Sequence, residues 1–475
     1  MPLRDLTGAR PNILVLLTDS TRFDCLGCHG DTPSVTPHLD RLAAEGVRFT
    51  HAFATTPLCH PARAALLTGL YPHANGMIGN ACRGSYCPRL DPALPTLAGI
   101  LQGAGYRCGI AAQGGGSTPP WDDALAGYDR FKDRRRAQGH PYPEPMAEPG
   151  FPVYGRALPS ADDVRDEQYV RDGLDLLRQY VALRQPWMLS IELDGPHAPC
   201  MPAQEWYDRI DPRAIRLPES LRDPLTDRAD RYRQVRRATG SGDWDDATWR
   251  EALRLYRAVV AMQDDALGRL LRVLKLSGRD QDTLVIFSSD HGDPIGQHGI
   301  CSKFGPIMSE SILHVPLVIG WPGTIAGGAA VDDFVCGTDW MPTFCELAGV
   351  NPPARCHGRS LAPLLQGERP ANWRQGIACT YYGVAERWYG LRSYRDARYK
   401  YVFDPHGMDE FYDLQADPGE RCNLIQDRRL RPLVWEYADQ LVNALRAVDD
   451  PLMESDLWPV PGRFVQDGLG GEHRH

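Results

Sequence analysis

The sequence predicts an α/β fold: a large, mostly parallel sheet sandwiched by helices, followed by a smaller C-terminal antiparallel sheet subdomain packed by a helix. Apolar runs within Asn12–Leu17, Pro186–Leu193 and Thr283–Phe287 are typical of strands buried on both faces of a parallel sheet. Between them lie segments with helical spacing of apolar residues, such as Trp249–Leu274. Further on, Trp388–Tyr401 alternates aromatic residues with arginines, which indicates a second sheet.

The length of 475 residues points to two domains, because a single hydrophobic core rarely grows beyond about 250 to 300 residues. We place the α/β domain at residues 1–370 and the C-terminal subdomain at residues 371–475. A composition of 43% hydrophobic and 24% charged residues is ordinary for a globular enzyme. The net charge of -9 and the isoelectric point near 5.9 argue against nucleic acid as a partner.

The sequence also suggests a cytoplasmic location. No secretory signal is visible at the start of the chain, and the run Ile13–Leu17 is too short to span a membrane. The 13 cysteines are an odd number scattered along the chain, which is typical of reduced thiols rather than disulfides. Cys25 and Cys28 form a Cys-x-x-Cys pair, but no second pair follows at the spacing of a zinc site.

Asp19 stands at the carboxyl end of the first predicted strand. Ligands of open α/β sheets gather at this end of the strands, so Asp19 is placed to hold a metal ion. The alternative is a turn or helix-cap aspartate. The segment Thr36–Gly46 then has a proline start, apolar residues at helical spacing and a glycine stop, which predicts a surface helix.

The stretch Leu58–Gly69 predicts a short helix that presents one reactive side chain at its beginning. Pro61 suits the first helical position, and Gly69 suits the left-handed residue after the last turn. Cys59 then lies near the positive end of the helix dipole. Arg63, about one turn later, can reach back to the same face and grip an oxyanion with two hydrogen bonds. Taken alone, Cys59 could equally be a buried structural thiol.

Cys59-x-Pro61-x-Arg63, followed by x-x-Leu-x-Thr-Gly, resembles the sulfatase signature. The resemblance extends from Pro11 to about Leu424. It implies that a formylglycine-generating enzyme oxidises Cys59 to formylglycine during maturation. The hydrated aldehyde then provides one hydroxyl that attacks the substrate and a second that expels the product.

The segment from Asp19 to Gly27 resembles the sulfatase opening Asp-(Asp/Gln)-x-Arg-x-Asp-x-Leu-Gly, with Ser20 in the second position. A neutral hydroxyl is a weaker metal ligand, so the site carries one negative charge fewer than in members with two aspartates. After the signature, His73 and Asn75 occupy a turn where the family often has a residue close to the substrate. Each is a candidate for substrate binding or for a structural role in the turn.

The resemblance fails at Gln113. Many arylsulfatases have a Gly-Lys-x-His-x-Gly segment whose lysine and histidine clamp the sulfate, whereas this chain has Ala112 and Gln113 followed by three glycines. The clamp is therefore absent or provided from elsewhere, and Gln113 is a candidate substrate contact. Farther along, His197 lies at a strand end and matches the histidine of the family's Pro-His-x-Pro segment, which acts as a donor near the leaving group. Residues 222–245, rich in Arg and Asp, predict a mobile surface lid or loop rather than a nucleic-acid patch.

A second predicted strand delivers Asp290 and His291 at its carboxyl end, as the first delivers Asp19. They match the family's metal pair Asp-(Asn/His). Together with Ser20 and the modified Cys59, these residues are the expected ligands of one divalent cation. Calcium is the expected ion, with manganese or magnesium as alternatives. Lys303 matches the lysine that pairs with the substrate oxyanion, and His298 before it is either a site residue or a packed loop residue.

The C-terminal part also resembles the family. Phe403–Leu414 reads as a hairpin, and Tyr412–Leu424 matches the motif Tyr-Asp-Leu-x-x-Asp-Pro-x-Glu-x-x-Asn-Leu of the sulfatase C-terminal subdomain. A helix over about Leu430–Val448 is expected to cover that sheet.

The resemblance implies a metal-dependent hydrolase of small-molecule or carbohydrate sulfate esters. Cys59, Arg63, His197 and Lys303 are the expected catalytic residues. Ser20, His291 and Gln113 also fit an alternative, a phosphonate monoester or phosphodiester hydrolase of the same superfamily. A noncatalytic binding protein for sulfated glycans is a further class, but the presence of Asp19, Asp290 and Lys303 with Arg63 argues against it. The sequence does not determine the oligomeric state.

Overall fold

The computed structural model describes residues 6–80, 90–112, 129–130, 154–303, 305–384 and 387–454. Its strands are β1 Asn12–Asp19, β2 Val47–Phe49, β3 Ala52–Phe53, β4 Arg107–Ala111, β5 Asp129–Arg130, β6 Trp187–Pro196, β7 Thr283–Ser289, β8 Leu317–Gly320, β9 Ala329–Val331, β10 Val335–Cys336, β11 Ile377–Val384, β12 Arg387–Arg395, β13 Tyr399–Phe403 and β14 Glu410–Asp413. Its α-helices are α1 Pro37–Glu45, α2 Cys59–Thr68, α3 Pro72–Asn75, α4 Leu97–Gly103, α5 Arg165–Tyr180, α6 Gln204–Tyr207, α7 Asp230–Ala238, α8 Asp246–Leu276, α9 Glu310–Leu313, α10 Trp340–Ala348, α11 Ala362–Leu365 and α12 Arg431–Arg446.

The large sheet has the order β5-β4-β6-β1-β7-β8-β2-β9. The pairs around the central strand β1 are parallel, and β8 runs antiparallel to its neighbours β7 and β2. The prediction of a mostly parallel sheet is therefore confirmed. Because β6 and β7 flank β1 in parallel, their carboxyl ends meet on one edge: Asp19 lies beside Pro196, and Thr18 beside Ser289.

Alternate residues of β1 enter two different cores. Leu14 and Leu16 pack into the core that contains α5 and α8, whereas Ile13, Val15 and Leu17 pack into the core that contains α2, α4 and α10. All of these side chains are buried, and each contributes roughly 1.5 to 3 kcal/mol relative to an exposed one. The period of two explains why the sequence shows a continuous apolar run here.

Helix α2 begins at Cys59, so Pro61 lies in its first turn rather than at its first position. A proline fits there because the first N–H groups of a helix have no partner within the helix. The helix ends at Gly69, which has a φ of 69° and donates its N–H to the carbonyl of Ala65. A Cβ at Gly69 would lie 2.7 Å from Cβ of Met341 in α10. Glycine is therefore required both by the backbone conformation and by the packing.

The C-terminal sheet, β11-β12-β13-β14, is antiparallel and packs on two sides. One face meets α12, through residues such as Tyr401 and Leu441. The other face packs on the large unit, where Tyr381 and Val402 share a core with Leu58, the residue just before α2. The predicted sheet and its covering helix are confirmed, whereas a domain boundary at residue 371 stays a prediction.

Residues 222–245 differ from the prediction of a mobile lid. They contain helix α7, whose Arg231 is buried and forms ion pairs with Asp404 and Glu410 of the C-terminal sheet region. Tyr232 adds a hydrogen bond of 3.0 Å from its hydroxyl to Glu410. Arg231 therefore belongs to buried ion pairs across the fold, whereas other charged residues of this segment, such as Arg222 and Asp245, are exposed. None of the helices in the described part of the chain has the length and hydropathy needed to cross a lipid bilayer.

We predict that Arg231→Met lowers the free energy of unfolding by about 3 to 5 kcal/mol, because it leaves two buried carboxylates without their partner. Urea unfolding followed by tryptophan fluorescence measures the change. The matched control is Arg237→Met on the same helix, where the side chain is exposed and a change within about 0.5 kcal/mol is expected. Equal effects of the two substitutions would restore the lid hypothesis.

Candidate active site

Four potential metal ligands from three parts of the chain meet at the carboxyl edge of the large sheet. One donor atom from each of Asp19, Cys59, Asp290 and His291 lies within 4.8 Å of the others. Asp19 ends β1, the pair Asp290 and His291 follows β7, and Cys59 opens α2. The residues that the sequence assigned to the metal are thus brought together, because neighbouring parallel strands deliver their carboxyl ends to one place.

His291 presents an unprotonated nitrogen to this cluster. Its Nδ1 lies 2.7 Å from the carbonyl oxygen of Gly292, which can only accept, so Nδ1 carries the hydrogen and Nε2 keeps its lone pair. Nε2 lies 3.6 Å from carboxylate oxygens of both Asp19 and Asp290. Burial lowers the pKa of His291 to about 4 despite these carboxylates. The ring is therefore neutral at neutral pH, the form that ligates metals.

Arg63 is held by three carboxylates. Its Nε donates to Asp290 at 2.9 Å, and its two terminal nitrogens lie 2.6 Å from Glu192 and 3.5 Å from Asp19. The sequence predicted that Arg63 grips an oxyanion with two hydrogen bonds, but in the structure each of its nitrogens already contacts a protein carboxylate. Arg63 therefore fixes the metal-cluster carboxylates in place and supplies positive charge beside them.

Lys303 reaches the same cluster from the loop after β7. Its Nζ lies 2.6 Å from Sγ of Cys59 and 3.5 Å from Asp19, and it also contacts Nε2 of His291. Burial by itself would lower the pKa of Lys303, but the charge of Asp19, followed by Cys59, outweighs burial and raises it. The ammonium is thus charged at neutral pH. Asp293 accepts the backbone N–H of Lys303 at 3.4 Å and so helps to place this loop.

Cys59 occupies the position where the predicted nucleophile belongs. Burial, and then the charge of Asp19, raises the pKa of its thiol to about 12, although Lys303 opposes the shift. The unmodified thiol is therefore protonated at neutral pH. Asn80 lies beside it, with Nδ2 at 3.8 Å from Sγ, and its Oδ1 accepts the backbone N–H of His60 at 3.1 Å. Asn80 thereby caps the first turn of α2, since Leu58 provides no side-chain cap.

Ser20 connects the two carboxylates. Its hydroxyl donates to Asp19 at 2.9 Å, and its backbone N–H donates to Asp290 at 3.3 Å. The residue is fully buried and has a φ of 73°, a conformation that is rare for a residue with a Cβ. Such strain is typical of functional sites. Ser20 therefore orients the carboxylates, and its role as a direct metal ligand stays a prediction.

The chemistry of the donor set fits one divalent cation. Asp19 and Asp290 provide carboxylate oxygens, and His291 provides a neutral imidazole nitrogen, on adjacent and buried positions. Arg63 contacts three carboxylates, those of Asp19, Asp290 and Glu192. The site has only two cationic side chains, Arg63 and Lys303, so one negative charge is left over. A bound divalent cation reverses the sign of the site, which then attracts an anionic substrate.

A cavity of about 440 Å³ opens beside this cluster, a size within the usual range for small-molecule sites. Cys59 and Arg63 line it, and so does His197, which the sequence predicted as a donor near the leaving group. Nδ1 of His197 lies 2.7 Å from the carbonyl oxygen of Ala198, so Nδ1 carries a hydrogen. The structure thus places His197 in the same cavity as the nucleophile position.

Two predicted substrate contacts lie away from this cavity. Asn75 is fully buried, and its side chain bonds to the backbone of Leu70 and Met77, so it has a structural role in its turn. Nε2 of His73 donates to the carbonyl of Val448 at 2.7 Å and so connects the turn to the C-terminal region. These contacts favour the structural alternative for both residues, and their roles in substrate binding stay predictions. Gln113 lies outside the described residues, so its predicted role stays a prediction.

His298 is also structural. It is buried, and its Nδ1 lies 2.9 Å from Asp223. Glu192 and Asn80, in contrast, were missed by the sequence reasoning. Glu192 had one signal, since it is a charged residue inside an apolar strand. Asn80 had none, because its contacts with α2 form only in the folded chain.

Comparisons with known proteins agree on one family. A family model described as sulfatase matches residues 11–350, and one described as N-sulphoglucosamine sulphohydrolase, C-terminal, matches residues 296–447. The uncharacterized sulfatase YidJ of Escherichia coli K12 is 28% identical over 467 residues, which cover 93% of this chain and 88% of that protein. N-acetylglucosamine-6-O-sulfatase of Bacteroides thetaiotaomicron is 26% identical over 482 residues, which cover 88% and 83%. The structure of phosphonate monoester hydrolase of Agrobacterium radiobacter superposes with a TM-score of 0.76 at 25% identity and covers 92% of this chain and 96% of that one.

We predict that Asp290→Ala removes bound divalent cation and activity together, because it deletes one of two carboxylates in the donor set. Metal analysis of the purified protein by mass spectrometry measures the cation and identifies it. Glu192→Gln is the matched control: it also removes a carboxylate from Arg63, but Glu192 is outside the four-residue cluster, so the cation stays. Full activity of a metal-free preparation would contradict the assignment.

Proposed function

The chain belongs to the sulfatase family of sulfuric ester hydrolases, and from this premise we propose that it cleaves sulfate esters of carbohydrates through a formylglycine formed from Cys59. The observation that carries the proposal is the position of Cys59. It opens α2 beside Asp19, Asp290 and His291, with Lys303 2.6 Å from its sulfur. These are the parts that a cation-assisted attack on a sulfate ester requires.

The modification supplies the nucleophile that the thiol lacks. Formylglycine hydrates to a geminal diol, which offers one hydroxyl for attack and a second for release of sulfate. Its formation requires a separate formylglycine-generating enzyme, which we propose as a partner during maturation. The divalent cation, when bound, polarises the reacting oxygens and screens the charge of the substrate. We propose calcium, with manganese and magnesium as alternatives, since carboxylate ligands suit all three ions.

Side chains of the protein itself carry out the remaining steps. Lys303 places a positive charge next to the nucleophile position and stabilises negative charge on the transferred group. Arg63 keeps the carboxylates Asp19 and Asp290 in fixed positions, so that the cluster does not have to reorganise during the reaction. His197, which lines the same cavity, donates a proton to the departing alcohol.

The carbohydrate part of the proposal is supported by a relative. N-acetylglucosamine-6-O-sulfatase, whose name states its substrate, aligns with 88% of this chain. The second candidate, a phosphonate monoester or phosphodiester hydrolase, is favoured by the structural similarity to the phosphonate monoester hydrolase. Ser20 and His291 also fit this candidate, because the resemblance gives such hydrolases a residue other than aspartate after the first aspartate and an Asp-His metal pair. A shared nucleophile and cation serve both reactions, so the choice depends on the transferred group.

We predict that Cys59 is converted to formylglycine in a host that carries the generating enzyme. Intact-mass analysis is expected to show a mass below that of the encoded chain, because an aldehyde oxygen replaces the heavier sulfur. Cys59→Ala is expected to abolish turnover without changing the thermal midpoint. Cys422→Ala, at an exposed cysteine, is the control and is expected to keep full activity. A fully active protein with an unmodified Cys59 would overturn the proposal.

We predict that an aryl sulfate is a better substrate than an aryl phosphodiester or an aryl phosphonate monoester with the same leaving group. The ratio of the kcat/KM values reports differential binding of the transition states. All three are measured on one metal-loaded preparation, with Cys59→Ala to subtract contaminating activity. If both phosphorus substrates are better by about a hundredfold, which is roughly 2.7 kcal/mol, the second candidate function replaces the first and the formylglycine assignment is kept.

A further inference from the structure

A short turn carries His197 into the cavity. It follows the buried part of β6 and spans Asp194 to His197, where the N–H of His197 donates to the carbonyl of Asp194 at 3.2 Å. The orientation of the imidazole is therefore set by this turn. His197 itself is held through Nδ1, which donates to the carbonyl of Ala198 at 2.7 Å. In the imidazolium form Nε2 carries the second hydrogen, and this is the hydrogen that proton transfer uses.

Two buried side chains from two helices, which line the same cavity, hold the turn in place. Asp166 of α5 uses both carboxylate oxygens: one accepts the N–H of Asp194 and the other the N–H of Gly195, each at 2.8 Å. Gln263 of α8 donates from Nε2 to the carbonyl of Gly195 at 2.6 Å. The far end of Gln263 is fixed as well, since Oε1 accepts the hydroxyl of Thr21 at 3.1 Å.

The turn is enclosed so tightly that only glycine fits at its centre. A Cβ on Gly195 would lie 2.4 Å from Cγ1 of Val259 and 2.8 Å from a carboxylate oxygen of Asp166. Asp166 is 9% exposed and Gln263 is 1% exposed, and both line the cavity that His197 enters. The brace formed by Asp166 and Gln263 therefore leaves the turn little freedom.

We propose that Asp166, assisted by Gln263, is a positioning residue for His197. It fixes the turn so that Nε2 of His197 stays at the distance from the leaving oxygen that proton transfer needs. In that step His197 starts as the imidazolium, with a hydrogen on each ring nitrogen. The S–O bond to the alcohol breaks, its electron pair goes to the alcohol oxygen, and this oxygen takes the proton from Nε2, while the nucleophile forms the new S–O bond. His197 is left neutral, with its hydrogen on Nδ1. The inference rests on the proposed function, in particular on the role of His197.

The two carboxylate oxygens of Asp166 have a specific purpose in this arrangement. Two convergent N–H groups require two acceptor oxygens, which a carboxylate has and an amide lacks. In Asp166→Asn the NH₂ group faces one of the two backbone N–H groups, so the turn must shift. A displacement of about 1 Å at a catalytic group lowers rates by up to about a hundredfold. The loss of rate is expected only for substrates whose leaving group must be protonated as it departs.

The test compares two substrates with different leaving groups, phenyl sulfate and 4-nitrophenyl sulfate. The nitrophenolate departs without a proton, whereas the more basic phenolate needs one. We expect Asp166→Asn to lower kcat/KM for phenyl sulfate by on the order of 10- to 100-fold and to change that for 4-nitrophenyl sulfate by less than about threefold. His197→Asn is expected to show the same selectivity with a larger loss. Gln263→Met, which removes the donor but keeps the volume, is expected to show a smaller loss of the same kind.

The control is Asp172→Asn, which removes another buried carboxylate of α5, one that bonds to Gln168 rather than to the turn. This control is expected to leave the ratio of the kcat/KM values for the two substrates unchanged. An equal loss with both substrates in Asp166→Asn, or an unchanged ratio in a folded, metal-loaded variant, overturns the inference. If Asp166→Asn does not fold, the ratio in Gln263→Met decides in the same way.

Two other results distinguish failure of the proposed function from failure of this inference. If the wild-type protein prefers phosphorus substrates, the same two leaving groups on a phosphonate monoester test the brace. If His197→Asn itself shows no selectivity between leaving groups, His197 is not the proton donor and the inference falls with it.

Discussion

The repulsion between buried carboxylates is the constraint on which the active site depends. Parallel strands β1 and β7 bring Asp19 and Asp290 to the same edge of the sheet, where Asp290 is 2% exposed. Burial alone would raise the pKa of Asp19, yet Lys303, followed by His197, His291 and Arg63, holds it well below its usual value. Two carboxylates whose oxygens lie within 4.8 Å of each other repel, and this is unfavourable unless cations compensate their charges. The site is therefore built around its positive charges.

That constraint explains the geometry of α2. The helix must present Cys59 to the cluster and, one turn later, direct Arg63 to the carboxylates. Its end is fixed by Gly69 against α10, and its beginning is capped from a distance by Asn80. The C-terminal sheet adds support from the other side, since the N–H of Thr380 donates to the carbonyl of Thr55 at 2.8 Å, just before the helix. A second structural unit thus stabilises the loop that leads to the nucleophile.

Buried hydrogen bonds fix the backbone that carries the proposed proton donor His197. The turn with His197 is braced by Asp166 and Gln263, whose hydrogen bonds connect it to α5 and α8. Burial, and then the charge of Asp194, raises the pKa of Asp166 to about 7 even though two backbone N–H groups favour its charged form. Maintaining such a group is unfavourable for stability, which is consistent with a role in positioning. Farther away, Arg231 joins α7 to the C-terminal sheet in a similar way.

The sequence alone determined the features that follow from local spacing. The apolar run of β1 predicted a strand buried on both faces, the pattern from Cys59 to Gly69 predicted the helix, and the strand-end positions of Asp19 and Asp290 predicted where a metal would bind. Tertiary structure decided the partners of each polar side chain. Arg63 meets Glu192, 129 residues away in the chain, and Arg231 meets Glu410, 179 residues away. Spacing cannot specify such contacts, because a hydrogen bond depends on the relative placement of whole strands and helices, whereas periodicity reports only which face of one element is buried.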